Sequence, residues 1–186
     1  MKKAKYVAAI VPVLKEDGLK VSMDKVAIKI GATKKTLYNQ FVTKELMIEE
    51  CLEEMTRQYR ESLDCMDNPA ISIPERLEAG IKTLRQYFRD MSHAFMGDLV
   101  TFYPQKATAD HVQGSSFFEK KVADNIETGK AAGVYRENID STLLAKYISY
   151  AVFSFFKKEV MNGHSYSADY YFQQIIDFNI NALLVK

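Results

Sequence analysis

Residues 22–47 read SMDKVAIKIGATKKTLYNQFVTKELM. Val26, Ala27 and Ile30 share one helical face, Ser22 stands where an N-cap belongs, and Gly31 permits a sharp turn at the far end. Thr33 can cap a second short helix carrying Lys34, Lys35, Leu37, Tyr38 and Asn39, in which Leu37 and Phe41 turn inward and leave the lysines outside. Two helices joined by a turn of about three or four residues containing glycine make a helix-turn-helix unit, whose second helix fits the DNA major groove. Thr43 is a third N-cap, and the helix it opens, TKELMIEECLEEMTRQYRESLDCM, carries the stripe Leu46, Cys51, Met55, Tyr59, Leu63 and Met66.

Upstream, a first helix is expected over residues 3–16. Pro12 within it removes a backbone hydrogen bond and crowds the carbonyl of Ala8, so a kink or a late start is expected. Downstream, glycine and proline are scarce and apolar residues recur at three- and four-residue spacing. Breaks fall near Asp17-Gly18, Gly31-Ala32, Asn68-Pro69 with Pro74, Gly97 or Pro104, Gly133 and Asn162-Gly163, which predicts an all-α chain of about nine helices. The expected division is a helix-turn-helix domain over 1–46 and a helical bundle over 47–186.

The net charge of +1 conceals an asymmetry. Residues 1–50 hold ten lysines against six acids, whereas the remainder is slightly acidic, so the first segment favours a polyanionic partner or is simply a solvated lysine face. Cys51 and Cys65 have neither metal-ligand nor disulfide-framework spacing, and no metal or cofactor is expected. No apolar run reaches the roughly 20 residues that span a bilayer. The start MKKAKYVAAIVPVLKEDG lacks the form of a signal peptide, and the expected setting is cytoplasmic. Catalysis finds no support: His93, His111 and His164 are scattered, and no nucleophile elbow, zinc-protease or P-loop pattern occurs.

The spacing of Ser22, Val26-Ala27, Gly31, Thr36-Leu37-Tyr38, Phe41 and Thr43-Lys44-Glu45-Leu46 resembles the DNA-binding segment of TetR-type transcriptional regulators. ETGKAAGVYRENID, 127–140, is similar to the turn that precedes the last two helices of that family. The resemblance implies an all-helical homodimer, a three-helix DNA-binding domain, and a C-terminal domain that binds a small-molecule effector. It implies a repressor released from a double-stranded operator when the effector binds. Lys35 departs from the small residue common at its position, and a long cation there adds a contact of its own.

In a major groove Lys34 and Lys35 reach guanine O6 and N7 or the flanking phosphates, Thr33 and Thr36 reach phosphates and thymine methyls, and Asn39 can pair with adenine. Tyr38 and Lys44 match family positions that grip the backbone, and Ser22, at a helix N-terminus, has the same option. In the C-terminal part, Tyr87, Phe88, Met91, Phe95, Phe102, Tyr147 and Tyr150 are the expected lining of a pocket for an apolar or aromatic effector; the alternative for each is an ordinary bundle core. Leu144, Ile148, Ala151, Val152 and Phe155 form one stripe and Phe172, Ile175, Ile176, Asn179, Ala182 and Leu183 another, expected to pack against their copies across a two-fold axis. The alternative from another class is a helical ligand-binding or protein-interaction module that keeps the helix-turn-helix as scaffold.

Overall fold

The computed structural model describes residues 2–162 and 167–185, with side chains described except at 2, 104–115 and 156–162. Among these residues the order is α1 (Lys2–Asp17), α2 (Met23–Lys29), α3 (Lys34–Phe41), α4 (Lys44–Ser62), a 3-10 turn (Leu63–Asp67), α5 (Ile73–Arg89), α6 (His93–Phe102), α7 (Pro104–Ala131), α8 (Ser141–Asn162) and α9 (Ala168–Leu183). The chain divides into two compact units, residues 1–59 with 89–108 and residues 60–88 with 109–186. The division thus falls near the end of α4 rather than after residue 46, and α6 joins the first unit.

The first unit is organised by α1. Val7, Ile10, Val11 and Leu14 recur at three- and four-residue spacing, so one face is buried, chiefly against α6 and α2, in a core that α3 and α4 also enter. Pro12 lies on the exposed side, near the exposed Ala8 whose amide partner it removes, and water can take that place. The helix runs through it from Lys2, so the expected late start does not occur. Ser22 caps α2 by accepting from the Lys25 amide at 3.2 Å. Gly31 adopts φ +67°, and Thr33 then caps α3 by accepting from the Thr36 amide at 3.1 Å. Leu37 and Phe41 bury α3.

Thr43 accepts from the Leu46 amide at 3.1 Å, which sets the phase of α4. That phase turns Met47, Ile48, Cys51, Leu52, Met55 and Tyr59 inward and leaves Leu46 exposed, so Leu46 does not belong to the buried stripe expected for it. Of the two expected positions for the next break, Pro104 marks it and Gly97 lies inside α6; a further interruption, unforeseen, comes before Ser92, which caps α6 by accepting from Phe95 N at 3.1 Å.

In the second unit, α5 opens with a capping box: the Ser72 amide and hydroxyl donate to Glu75 at 2.8 and 2.6 Å. The 127–140 turn packs tightly. Gly133 adopts φ +69°, and the next residues pair antiparallel with the chain after α9, Arg136 N donating to Leu183 O and Val185 N to Val134 O. Tyr135 is fully buried; its hydroxyl donates to Asn125 Oδ1 at 3.3 Å, and Asn125 Nδ2 donates to Ile73 O at 2.9 Å. A Cβ on Gly129 would stand 2.1 Å from the Tyr135 ring. Gly129→Ala should therefore lower stability by about 1–3 kcal/mol, read as a shift of the urea midpoint. An unchanged midpoint would mean that the ring moves aside without cost.

The helix pair α8 and α9 already buries within one chain most of the two stripes expected to form a dimer surface. Ile148, Val152, Phe155, Phe172, Ile175, Ile176, Asn179 and Leu183 are buried within one chain, with Leu144, Ala151 and Ala182 partly buried. Phe155 packs on Phe172 with ring centres 5.2 Å apart, and the Tyr171 hydroxyl donates to Ala151 O at 2.9 Å. Both apolar stripes are consumed by the pairing of the two helices with each other and with the rest of the unit. Among the described residues, the large apolar or aromatic side chains left outward on α8 are Leu143, Tyr147 and Tyr150, 66%, 50% and 68% exposed, with Tyr170 and Phe178 outward on α9.

Candidate nucleic-acid interface

Short helices α2 and α3 share a small core of Val26, Ala27, Leu37 and Phe41, and this fixes what faces outward. Lys34, Lys35, Tyr38 and Asn39 are exposed along α3, with Thr33 exposed at its start and Thr36 half-buried. The Thr33 and Thr36 hydroxyls lie 2.9 Å apart. Ser22 is exposed and Lys44 half-buried. All eight positions expected to meet DNA thus belong to α2, α3 and their caps, or to the first residue of α4.

The electrostatics differ from what a count of lysines suggests. Lys25 pairs with Asp17 at 2.8 Å, Lys29 with Glu16 at 2.9 Å and Asp17 at 2.8 Å, Lys34 with Asp24 at 2.7 Å, and Lys3 with Glu50. Hydrogen bonds from Lys25 and Lys29 hold the Asp17 carboxyl below the usual carboxylate range. Lys34 is held above the usual lysine range, chiefly by its hydrogen bond to Asp24. Lys35 and Lys44 form no ion pair among the described residues. Much of the basic excess of the first segment is therefore neutralised within the unit.

Asp98 on α6, only 9% exposed, was not singled out by the sequence. Its Oδ2 accepts from the Leu19 amide at 2.9 Å and the Lys20 amide at 3.1 Å, in the loop that leads from α1 into α2. Gly18, with φ +82°, makes this approach possible: a Cβ there would stand 2.7 Å from the same oxygen. The Ser92 amide also donates to Lys15 O at 2.8 Å, and Phe95 is buried in the same core, so α6 is fastened to α1 and to the entry of α2.

No protein-family model and no curated protein matches the chain. Solved structures match it over nearly its whole length. A candidate transcriptional regulator from Saccharomonospora viridis, solved in complex with choline, superposes with a TM-score of 0.81 at 17% identity, covering 100% of this chain and 98% of that one. A TetR-family transcriptional regulator from Cytophaga hutchinsonii gives 0.78 at 16% identity, covering 100% and 96%. The ketosteroid transcriptional regulator of Mycobacterium tuberculosis gives 0.63 at 15%, again covering 100% and 96%. The chain has the fold of the TetR-type transcriptional regulators.

Within this TetR-type fold the residues expected to line an effector pocket are divided between the two units, Met91, Phe95 and Phe102 in the first and Tyr87, Phe88, Tyr147 and Tyr150 in the second. Phe95 is buried in the core of the first unit, with Met91 at its margin. Phe102 is exposed, its ring 4.9 Å from Lys20 Nζ, and Tyr147 and Tyr150 point outward from α8. Tyr87 and Phe88 do join a ring cluster in the second unit: Tyr87 to Phe88 at 5.4 Å, Phe88 to Phe153 at 5.8 Å and Phe153 to Phe118 at 6.2 Å, all edge-on. Phe118 and Phe153, which sequence reasoning did not select, are its most buried members.

The Cys51 thiol is buried and its pKa pushed up to about 12 by that burial, which leaves almost no thiolate. No cluster of metal-ligating side chains occurs among the described residues. His93 is exposed, while the side chains of His111 and His164 lie outside the described residues. No described helix is long and apolar enough to cross a membrane.

Proposed function

We propose that the chain is a DNA-binding transcriptional regulator, working as a homodimer that represses until a small apolar or aromatic effector releases it from its operator. The observation that carries this reading is the outward face of α3. A helix whose Leu37 and Phe41 are sealed into a rigid core presents Lys34, Lys35, Tyr38 and Asn39 to solvent in the register that suits a major groove. Thr33, Thr36, Ser22 and Lys44 add hydroxyl and ammonium groups that phosphates accept from. Selection of duplexes from a random pool by the full chain tests it. A pseudo-palindrome with half-site centres about 10 base pairs, or a related spacing, apart is the expected product; no enrichment would contradict the reading.

Dimerisation is proposed through the outward row Leu143, Tyr147 and Tyr150 of α8 with Tyr170 and Phe178 of α9, in place of the stripes that are buried within the chain. Tyr147→Glu with Tyr150→Glu should weaken self-association by at least about tenfold in sedimentation equilibrium, because four buried charges per dimer would lack partners. Unchanged self-association would place the interface elsewhere. For the effector, the ring cluster of Tyr87, Phe88, Phe118 and Phe153 supports an apolar or aromatic ligand, and the relative solved with choline shows that a protein of this fold takes a small organic molecule.

A further inference from the structure

An acidic residue stands in the face proposed to meet DNA. Asp24 occupies the first turn of α2, two residues after the N-cap Ser22, and is exposed. A carboxylate at that place suits the helix dipole but repels the phosphates that the same helix N-terminus would attract. Its Oδ2 lies 2.7 Å from the ammonium of Lys34, the first residue of α3. Because α2 and α3 are locked together through Val26, Ala27 and Leu37, the two ends of this pair are carried on one rigid block.

We propose that Asp24 is a positioning residue for specificity, holding Lys34 so that it contributes little on random DNA and its full contact only on the operator. This inference rests on the DNA-binding reading above. A lysine ammonium is a compact charge with three donors on a flexible stem, and left alone it grips whichever phosphate is near. Held by Asp24, it gains little by exchanging one anion for another on a random duplex. At a matching base pair it can keep Asp24 on one donor and offer the others to guanine O6 and N7. Neighbouring Lys35 forms no ion pair among the described residues and supplies the grip that does not depend on sequence.

The test is Asp24→Asn in the full chain, with binding measured by fluorescence anisotropy to the selected operator and to a random duplex of equal length across a salt series. Affinity for the random duplex should rise about tenfold at low salt and its salt slope steepen by about one unit, while operator affinity changes by less than about threefold. Asp24→Ser should behave alike, and Lys34→Ala should abolish the gain in the double variant. An equal rise on both duplexes, no change on either, or a gain that survives Lys34→Ala would each overturn the proposal. Should the unaltered chain itself fail to separate operator from random DNA, the DNA-binding reading falls; if it discriminates and Asp24→Asn discriminates equally, only this inference falls.

Discussion

Asp98→Ala should destabilise the first unit by about 1–4 kcal/mol, because two backbone N–H groups, the buried one of Leu19 and the part-buried one of Lys20, lose the carboxylate oxygen they donate to. The ion pair of Asp98 with Lys20 at 3.5 Å adds little, since the lysine is largely exposed. The cost lies in the unmade hydrogen bonds, so Asp98→Asn, whose carbonyl oxygen still accepts, should lose much less. Urea unfolding of both variants separates the two. Equal losses would mean that charge rather than acceptor geometry matters. Asp98 also fastens α6 to the loop that orients α2, so Asp98→Ala should reduce operator affinity under conditions where the chain is still folded. A folded variant with undiminished affinity would show that α2 keeps its orientation without this bond.

Replacing Lys34 and Lys35 together by alanine should lower operator affinity by about a hundredfold, the loss expected for one base contact and one phosphate contact. The single variants should differ in kind. Lys35→Ala should weaken operator and random DNA alike and flatten the salt slope by about one unit, as loss of a phosphate contact does. Lys34→Ala should relax one base position with a smaller change in slope, because its charge is already met by Asp24. Anisotropy titrations across a salt series resolve both effects. Binding unaltered in the double variant would remove α3 from the interface and favour the other class considered, a module that keeps the helix-turn-helix only as scaffold.

Local signals explain why the helix-turn-helix was readable. Ser22, Gly31, Thr33 and Thr43 each act on residues within four positions, through caps and one left-handed turn, and each does in the structure what its chemistry predicts. The late start offered for Pro12 does not occur, because its cost depends on whether water can reach the freed carbonyl, which a linear pattern does not reveal. The stripes on α8 and α9 misled for a related reason: an apolar face states that it will be buried, not against what. Leu143, Tyr147 and Tyr150 were readable as apolar or aromatic, yet their outward direction is set by the phase in which α8 meets α9. Asp98 left one overlooked trace, a lone acid in the apolar run AFMGDLV. Its partners are 78 and 79 residues away in sequence, beyond any local pattern.

The central claim is that α2 and α3 read DNA. A mobility-shift titration of the full chain, free of any added effector, with the duplex immediately upstream of its own gene tests it most directly. The expected result is a discrete complex holding two chains that survives an excess of random competitor at low salt and weakens linearly in log–log form as salt rises. Absence of a competitor-resistant complex at low salt would contradict the account.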